Sequence, residues 1–323
     1  MFFAGFGKHL PSLELHNDDF SYLLPTSDEW IRTRTGIRSR RVAAPDEGIL
    51  EGCVIAAQGA LRASGMKPGT LDAIVVATTT APFAMPSLAC LVAGKLGVPP
   101  IPAFDLTAAC SGFLYGLYVI RGMVTGGLKN VLLLGADYFS WILDYADRST
   151  CVLFGDGVGA AVVSQARPHA KPHFEVVDVC VKSEGEHGGL LYCKHAYPNL
   201  SDDLSKDAFV HMNGQELFRL AVTRLSEAAQ DMLNAHGLEP DDVRLVVPHQ
   251  ANLRILEAVA SKIGIPMESF WTNLERYGNT SAASIPIAMT ELQEQGGLEG
   301  QAAWVLSLAC GSGLTWGAAL LRS

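Results

Sequence analysis

Basic charge is scarce in this chain. Lysine and arginine total 24 against 33 aspartates and glutamates, and the formal net charge is −9. A protein that wraps nucleic acid would carry the opposite balance, so that class falls away. Charged residues of both signs make up only 18% and hydrophobic ones 49%, which excludes a disordered chain. Long apolar runs are missing. Each is broken by Gly, Thr or a charge well short of the roughly 18 residues that a membrane helix needs, so no membrane association is expected. The opening segment Met1-Phe2-Phe3-Ala4-Gly5-Phe6-Gly7-Lys8 lacks a basic stretch followed by a long apolar one, and no signal peptide is expected. Paired cysteines are missing too. The seven stand at 53, 90, 110, 151, 180, 193 and 310, an odd number without disulfide spacing, which fits reduced thiols in a cytoplasmic protein. Glycine, by contrast, is plentiful at 32 of 323 residues, and predicts tight turns and close backbone approaches. The length corresponds to about two domains.

Short apolar runs bounded by turn residues read as buried strands at 74–77, 131–134, 151–154, 161–163, 245–247 and 304–306. Between them, longer patterns at 49–64, 86–97, 112–126, 214–236 and 281–295 predict helices. This alternation predicts an α/β fold with strands buried under helices on both faces. The stretch 165–211, rich in His, Lys, Asp, Pro and Gly, predicts loops and an irregular insertion.

The chain also repeats itself. Residues 65–76 (GMKPGTLDAIVV) match 237–247 (GLEPDDVRLVV), an offset of 172 residues. Residues 93–99 (AGKLGVP) match 260–266 (ASKIGIP), an offset of 167. Each copy of the first motif follows an amphipathic helix and leads into a strand. A duplicated unit of half the chain follows, divided here into 1–169 and 170–323. Equivalent loops of the two halves are then expected at one shared centre.

Three segments carry residues suited to chemistry. In Ala103-Phe104-Asp105-Leu106-Thr107-Ala108-Ala109-Cys110-Ser111-Gly112-Phe113, a strand ends, small residues turn the chain, and a helix begins after Cys110. A thiol at a helix start faces the positive dipole end and free N–H groups, which favour thiolate. In Val246-Val247-Pro248-His249-Gln250-Ala251-Asn252, a histidine follows a strand at the repeat-related counterpart of Ala77-Thr78-Thr79. In Tyr277-Gly278-Asn279-Thr280-Ser281-Ala282-Ala283-Ser284, the turn at Asn279 corresponds through the repeat to the turn at Cys110, which offers a neutral hydrogen-bond donor opposite the thiol. Two other patterns carry less. Gly155-Asp156-Gly157-Val158-Gly159-Ala160 fits a dinucleotide fingerprint in form, but a strand-like Ala161-Val162-Val163 follows where that fingerprint needs a helix. His187, Cys193 and His195 lack any standard metal-ligand spacing, so no metal is expected.

Taken together, Thr107-Ala108-Ala109-Cys110-Ser111-Gly112-Phe113, Val247-Pro248-His249-Gln250-Ala251-Asn252-Leu253-Arg254 and Tyr277-Gly278-Asn279-Thr280-Ser281-Ala282-Ala283 resemble the β-ketoacyl-acyl-carrier-protein synthase III family, the initiating condensing enzymes of bacterial fatty acid synthesis. Residues 26–38 (TSDEWIRTRTGIR), Phe154-Gly155-Asp156-Gly157 and Thr315-Trp316-Gly317 extend the resemblance over nearly the whole chain. It implies a thiolase-like fold, two duplicated α/β halves in a five-layered αβαβα arrangement. It implies Cys110, His249 and Asn279 as the catalytic set, with an oxyanion hole from the backbone N–H groups of Cys110 and Ser312. It implies acyl-CoA and malonyl-acyl carrier protein as substrates, a homodimer, and no cofactor. By the same resemblance Trp30 and Arg148 flank the CoA adenine and Arg34 approaches its phosphates. Met85 falls where a partner subunit closes the acyl pocket. Arg219, Arg254 and Lys262 belong to the face that receives the acidic carrier protein. The chain departs from the family in Cys310-Gly311-Ser312-Gly313-Leu314, where an aromatic residue and three glycines are common. Ser312 would be strained there if its φ were positive. Cys310 in place of the aromatic leaves space beside His249 and Asn279. Two alternatives keep the fold: a thiolase-fold acyltransferase or specialised ketosynthase that uses Cys110 outside fatty acid initiation, and a non-catalytic partner subunit.

Overall fold

A computed structural model of the protein describes residues 1–168, 173–194, 208–296 and 302–323. The strands, in chain order, are β1 (Phe2–His9), β2 (Leu13–His16), β3 (Ser39–Val42), β4 (Ala73–Ala77), β5 (Ala103–Leu106), β6 (Asn130–Asp137), β7 (Gly157–Ser164), β8 (Phe174–Ser183), β9 (Leu191–Tyr192), β10 (His211–Met212), β11 (Val243–Val246), β12 (Trp304–Gly311) and β13 (Thr315–Arg322). Nine of them join in the order β11-β12-β13-β8-β1-β7-β6-β4-β5.

That order contains one pattern twice. The first half runs β5-β4-β6-β7-β1 and the second β11-β12-β13-β8. In both, the second strand of the unit pairs in parallel with the strand that then pairs antiparallel with its successor. The place of β5 is taken in the second half by Phe270, which makes a single parallel bridge to Val246. The halves meet where β1 and β8 pair at Phe2–Glu175 and Phe3–Phe174.

Helices complete five layers. Ile49–Ser64 and Leu88–Leu96 cover the outer face of the first half, packed on Ile74, Val76, Leu132 and Leu134. Gly214–Ala235 and Leu253–Ile263 cover the outer face of the second, packed on Leu306, Leu308 and Leu320. Gly112–Thr125 and Ser284–Glu294 lie between the halves, in a core shared by Val75, Val131, Val305 and Ala319. Their sequences agree with these places. The outer Leu253–Ile263 buries one stripe, Ile255, Leu256, Val259, Ala260 and Ile263, whereas the central helix buries every residue from Ser284 to Leu292.

Two sequence expectations change here. Residues 151–154 form turns, closed by Cys151 N–H to Asp147 O and Leu153 N–H to Thr150 O, and only Phe154 makes a bridge. Their side chains are buried against Phe139 and Ile31 in a side cluster, and an apolar run by itself does not say which surface buries it. The stretch 165–211 is more than an insertion, because β8 lies within it and is the second half's counterpart of β1. Its ten residues alternate only partly in burial, and the polar segments beside it masked the strand. The division between residues 169 and 170 falls outside the described residues.

Candidate active site

The centre of the molecule is where the two halves present the same turn to each other. Each central helix is preceded by a short 3-10 turn, Ala109–Ser111 and Ser281–Ala283. Among the described residues, Ala109 (φ 46°) and Ser281 (φ 51°) are the non-glycine residues with positive φ, 172 residues apart. This matches the first repeat offset and refines the pairing: Cys110 corresponds to Ala282, and Asn279 to Thr107. Holding a side chain in the left-handed region costs about 1–3 kcal/mol, and it persists only where surrounding contacts enforce it. Those contacts are visible. A Cβ on Gly135 would lie 2.1 Å from the carbonyl oxygen of Ala282, so only glycine lets the second turn seat against β6. Two residues on, the buried Asp137 carboxylate accepts from Thr79 N–H at 2.7 Å, from the Thr79 hydroxyl at 2.9 Å and from Ala282 N–H at 3.4 Å. Burial pushes this carboxyl up, and these donors oppose the shift.

Cys110, 4% exposed, lines a cavity of about 150 Å³ together with His249, Asn279, Cys310 and Gly311. All three residues picked from sequence thus meet in one place. Burial pushes the Cys110 thiol up to about 12, while the side chains of Ser281 and Asn279 draw it down. The expected thiolate is therefore not the resting form. Desolvation outweighs the helix start, because the cavity wall contains no charged side chain among the described residues.

His249 follows β11, held by its N–H to the Leu308 carbonyl at 2.7 Å. Its Nδ1 lies 2.6 Å from the Ser284 hydroxyl, and its Nε2 is buried without a partner among the described residues. Burial holds the imidazole down to about 3, so it is neutral. Asn279 accepts the Ser281 N–H on Oδ1 at 2.8 Å, which leaves its amino group as the donor. Its backbone pairs with Leu153 and Gly155. The approach to Asn279 is fixed by buried Glu291, which accepts from Asn273 Nδ2 at 3.0 Å, Arg276 at 2.9 Å and the Tyr277 hydroxyl at 2.7 Å.

The glycine-rich segment at the end of β12 abuts Cys110: a Cβ on Gly311 would lie 2.7 Å from Cys110 N. Ser312 is absent from the positive-φ residues, so the expected strain does not arise; Gly313 (φ 134°) takes the special conformation instead. The Ser312 hydroxyl donates to the Leu191 carbonyl, and Leu314 and Glu184 exchange backbone bonds at 2.9 and 2.8 Å.

A second cavity, about 450 Å³, shares Leu153, Met212, Gly214, Phe218 and Asn252 with the first and continues it outward. Its wall holds Trp30, Arg34, Arg148 and Arg254. Both guanidinium groups stack on the Trp30 ring, Arg34 at 4.5 Å and Arg148 at 4.9 Å. Ser27 caps the helix Asp28–Thr35 that positions the indole. Arg219 and Lys262 are exposed and outside both cavities. Met85 is 83% exposed and lines neither cavity within the single chain. No group of metal-ligating residues occurs among the described residues; His195 lies outside them. The strand β7 begins at Gly157, so the Gly155–Ala160 pattern has no dinucleotide helix after it.

Comparison with known proteins adds the name of the arrangement. Profiles described as 3-oxoacyl-[acyl-carrier-protein (ACP)] synthase III, and as the C-terminal part of the same, match residues 104–185 and 233–323. A β-ketoacyl-[acyl-carrier-protein] synthase III of Roseiflexus sp. is 42% identical over 326 residues, covering 99% of this chain and 97% of its own. The chain belongs to the 3-oxoacyl-[acyl-carrier-protein] synthase III family. The crystal structure of the Aquifex aeolicus synthase III superposes with a TM-score of 0.91 at 42% identity, covering 99% of both chains. That from Pseudomonas aeruginosa gives 0.89 at 38%, covering 99% of this chain and 98% of its own. The fold of this synthase III family member is thus thiolase-like, as the resemblance implied. Sequence reasoning missed Asp137, Ser284 and Glu291. Only Asp137 left a trace, an acid closing the apolar strand Val131-Leu132-Leu133-Leu134.

Proposed function

We propose that the chain is the priming β-ketoacyl-acyl-carrier-protein synthase of fatty acid synthesis. An acyl-CoA acylates Cys110, and malonyl-acyl carrier protein is then decarboxylated and joined to that acyl group. The observation that carries this reading is the meeting of the Cys110 thiol and two neutral donors, His249 and Asn279, in a cavity without charged walls among the described residues. The half 1–169 supplies the nucleophile and the half 170–323 the two donors.

Cys110 loses its proton as it attacks the acyl-CoA carbonyl, and the CoA thiol leaves carrying a proton. The tetrahedral oxyanion is held by backbone N–H groups of Cys110 and Ser312. Malonyl-carrier protein follows. Its carboxylate finds no cation in the described cavity wall, which favours loss as carbon dioxide over retention as a stabilised anion. The electrons of the broken bond pass to the thioester oxygen, where His249 Nε2 and Asn279 Nδ2 donate. Neutral donors suit the step, because an acid would quench the carbanion. The carbanion attacks the acyl-cysteine, and Cys110 leaves and is reprotonated. No cofactor takes part.

Trp30, Arg34 and Arg148 suit the nucleotide of CoA, by stacking and by arginine–phosphate pairing. Arg219, Arg254 and Lys262 are exposed and form no ion pair with the described carboxylates, which fits docking of an acidic carrier in a chain of net charge −9. Met85 and Phe83, exposed near the edge strand β5, fit closure by a second copy in a homodimer. Among the described residues no helix is long and apolar enough to cross a membrane, and the proposed location is cytoplasmic.

The test is intact-protein mass spectrometry with acyl-CoAs and then malonyl-carrier protein. An adduct on Cys110 that clears with carbon dioxide release is expected; an adduct that never clears refutes condensation. The pH dependence separates the two half-reactions. His249 is held far below its ordinary value, so it stays neutral and the condensation of preformed acyl-enzyme is expected to show no inflection between about pH 5 and 8. Cys110 is held far above its ordinary value, so its alkylation by iodoacetamide is expected to keep rising with pH past the usual thiol range of about 8.5. A plateau of alkylation near neutrality contradicts this.

A further inference from the structure

Beside the three reacting side chains, the rest of the cavity wall is largely apolar. Along the helix Gly214–Ala235, the residues Gly214, Leu217, Phe218, Ala221 and Leu225 line it in turn. Gly214, the adjacent pair Leu217 and Phe218, Ala221 and Leu225 follow one another every three or four residues and form one stripe from the outer cavity inward. Gly214 and Phe218 are shared with the outer cavity, whereas Ala221 and Leu225 belong to the inner one alone. Leu256 of the helix Leu253–Ile263 faces them, and Cys310 completes the recess.

Strand alternation says how Cys310 gets there. The missing Cβ of Gly311 points at the Cys110 amide. The neighbouring side chain must point to the other face of β12, toward Ala221, Leu225 and Leu256, with which Cys310 shares a core cluster. His249 is bonded to the same strand two residues away, N–H to Leu308 carbonyl at 2.7 Å. The recess therefore belongs to the same cavity as the His249 side chain, whose Nε2 is the donor of the proposed reaction. In the proposed reaction that donor holds the extender thioester, and the atom next to the held carbonyl is the extender's α-carbon.

We infer that the recess bounded by Cys310, Ala221, Leu225 and Leu256 accepts an alkyl branch on the α-carbon of the extender, so that an α-methylmalonyl thioester is a substrate as well as a malonyl one. The inference rests on the proposed condensation. The chemistry balances in the same way. The bond from the α-carbon to the carboxyl carbon breaks, its electrons pass to the thioester oxygen, and carbon dioxide leaves. The substituted α-carbon bonds to the acyl carbonyl as the Cys110 thiolate departs and takes a proton. The walls are apolar, so the branch meets no polar group that it would strip of water.

The experiment uses the acetyl-primed enzyme with malonyl- or methylmalonyl-carrier protein and reads product mass and carbon dioxide. The wild type is expected to form the α-methyl-β-ketoacyl product. Cys310→Phe fills the recess and is expected to lower the methylmalonyl-to-malonyl ratio of kcat/KM by about 10-fold or more, the discrimination that one hydrocarbon group supplies. Leu225→Phe closes the recess from the helix side and is expected to do the same, which keeps the test alive if the first variant fails to fold. A wild type that condenses malonyl but makes no methyl-branched product overturns the inference. So does an unchanged ratio in both variants, or a loss confined to longer acyl-CoA primers, which would put the primer chain in the recess. Failure with malonyl-carrier protein itself refutes the condensation reading instead.

Discussion

Cys110→Ala is expected to abolish acylation and to lower condensation on the order of 10⁴-fold or more, the scale on which removal of a covalent nucleophile acts. The fold is expected to survive. The side chain is buried at 4% exposure, but the change removes one sulfur and leaves the Ala109 turn and the helix Gly112–Thr125 intact. A cost of about 1–2 kcal/mol is expected for the small void, a shift of a few degrees in thermal denaturation. His249 and Asn279 are untouched, so slow decarboxylation of malonyl-carrier protein without condensation should persist. Mass spectrometry of the variant after acyl-CoA, carbon dioxide release and a melting curve check the three statements. An acyl adduct of undiminished stoichiometry on the variant would move the nucleophile to another of the six remaining cysteines.

Asn279→Ala is expected to leave acyl-enzyme formation within a few-fold of the wild type. Decarboxylation should fall by roughly 10²–10³, the effect of removing one oxyanion donor, or about 3–4 kcal/mol. The geometry separates the two halves of the side chain. Oδ1 is committed to the Ser281 N–H at 2.8 Å, and the amino group is what remains for the cavity. Asn279→Asp keeps an acceptor for Ser281 and loses the donor. If Asn279 serves the chemistry, both variants lose decarboxylation. If it only braces the left-handed turn at Ser281, the aspartate variant recovers. Rapid-quench measurement of adduct formation and carbon dioxide release decides between them, and equal losses in both half-reactions would contradict a separate role.

Much of this protein was legible before any coordinates. The helices at 49–64, 112–126 and 214–236 fall within a residue of the observed Ile49–Ser64, Gly112–Thr125 and Gly214–Ala235. Each is an amphipathic or apolar stretch ended by glycine or a polar turn, and such signals are local. The repeat was legible because both halves reuse the sequence that ends a helix and starts a strand, and the strand orders of the two halves agree with it. Cys110, His249 and Asn279 could be picked because each sits just past the end of a strand or turn, where an α/β fold presents side chains to a ligand.

The rest needed the fold. β8 was hidden because its burial comes from β1 and β13, partners far away in the chain. The run 151–154 looked like a strand because apolar composition reports burial and not hydrogen-bond partners. The protonation states ran against the local expectation for the same reason. A helix start favours thiolate, yet packing two halves around Cys110 and His249 removes water and leaves one thiol and one imidazole uncharged. Gly135, Asp137 and Glu291 became meaningful only once the second half was seated on the first. Sequence by itself determined most of the elements, the internal repeat and the three candidate residues, because those are written in spacing and side-chain chemistry. Tertiary structure alone decided which turns face each other, which groups lose their water and how far the cavity reaches past Cys310, because those depend on surfaces brought together from residues 172 apart.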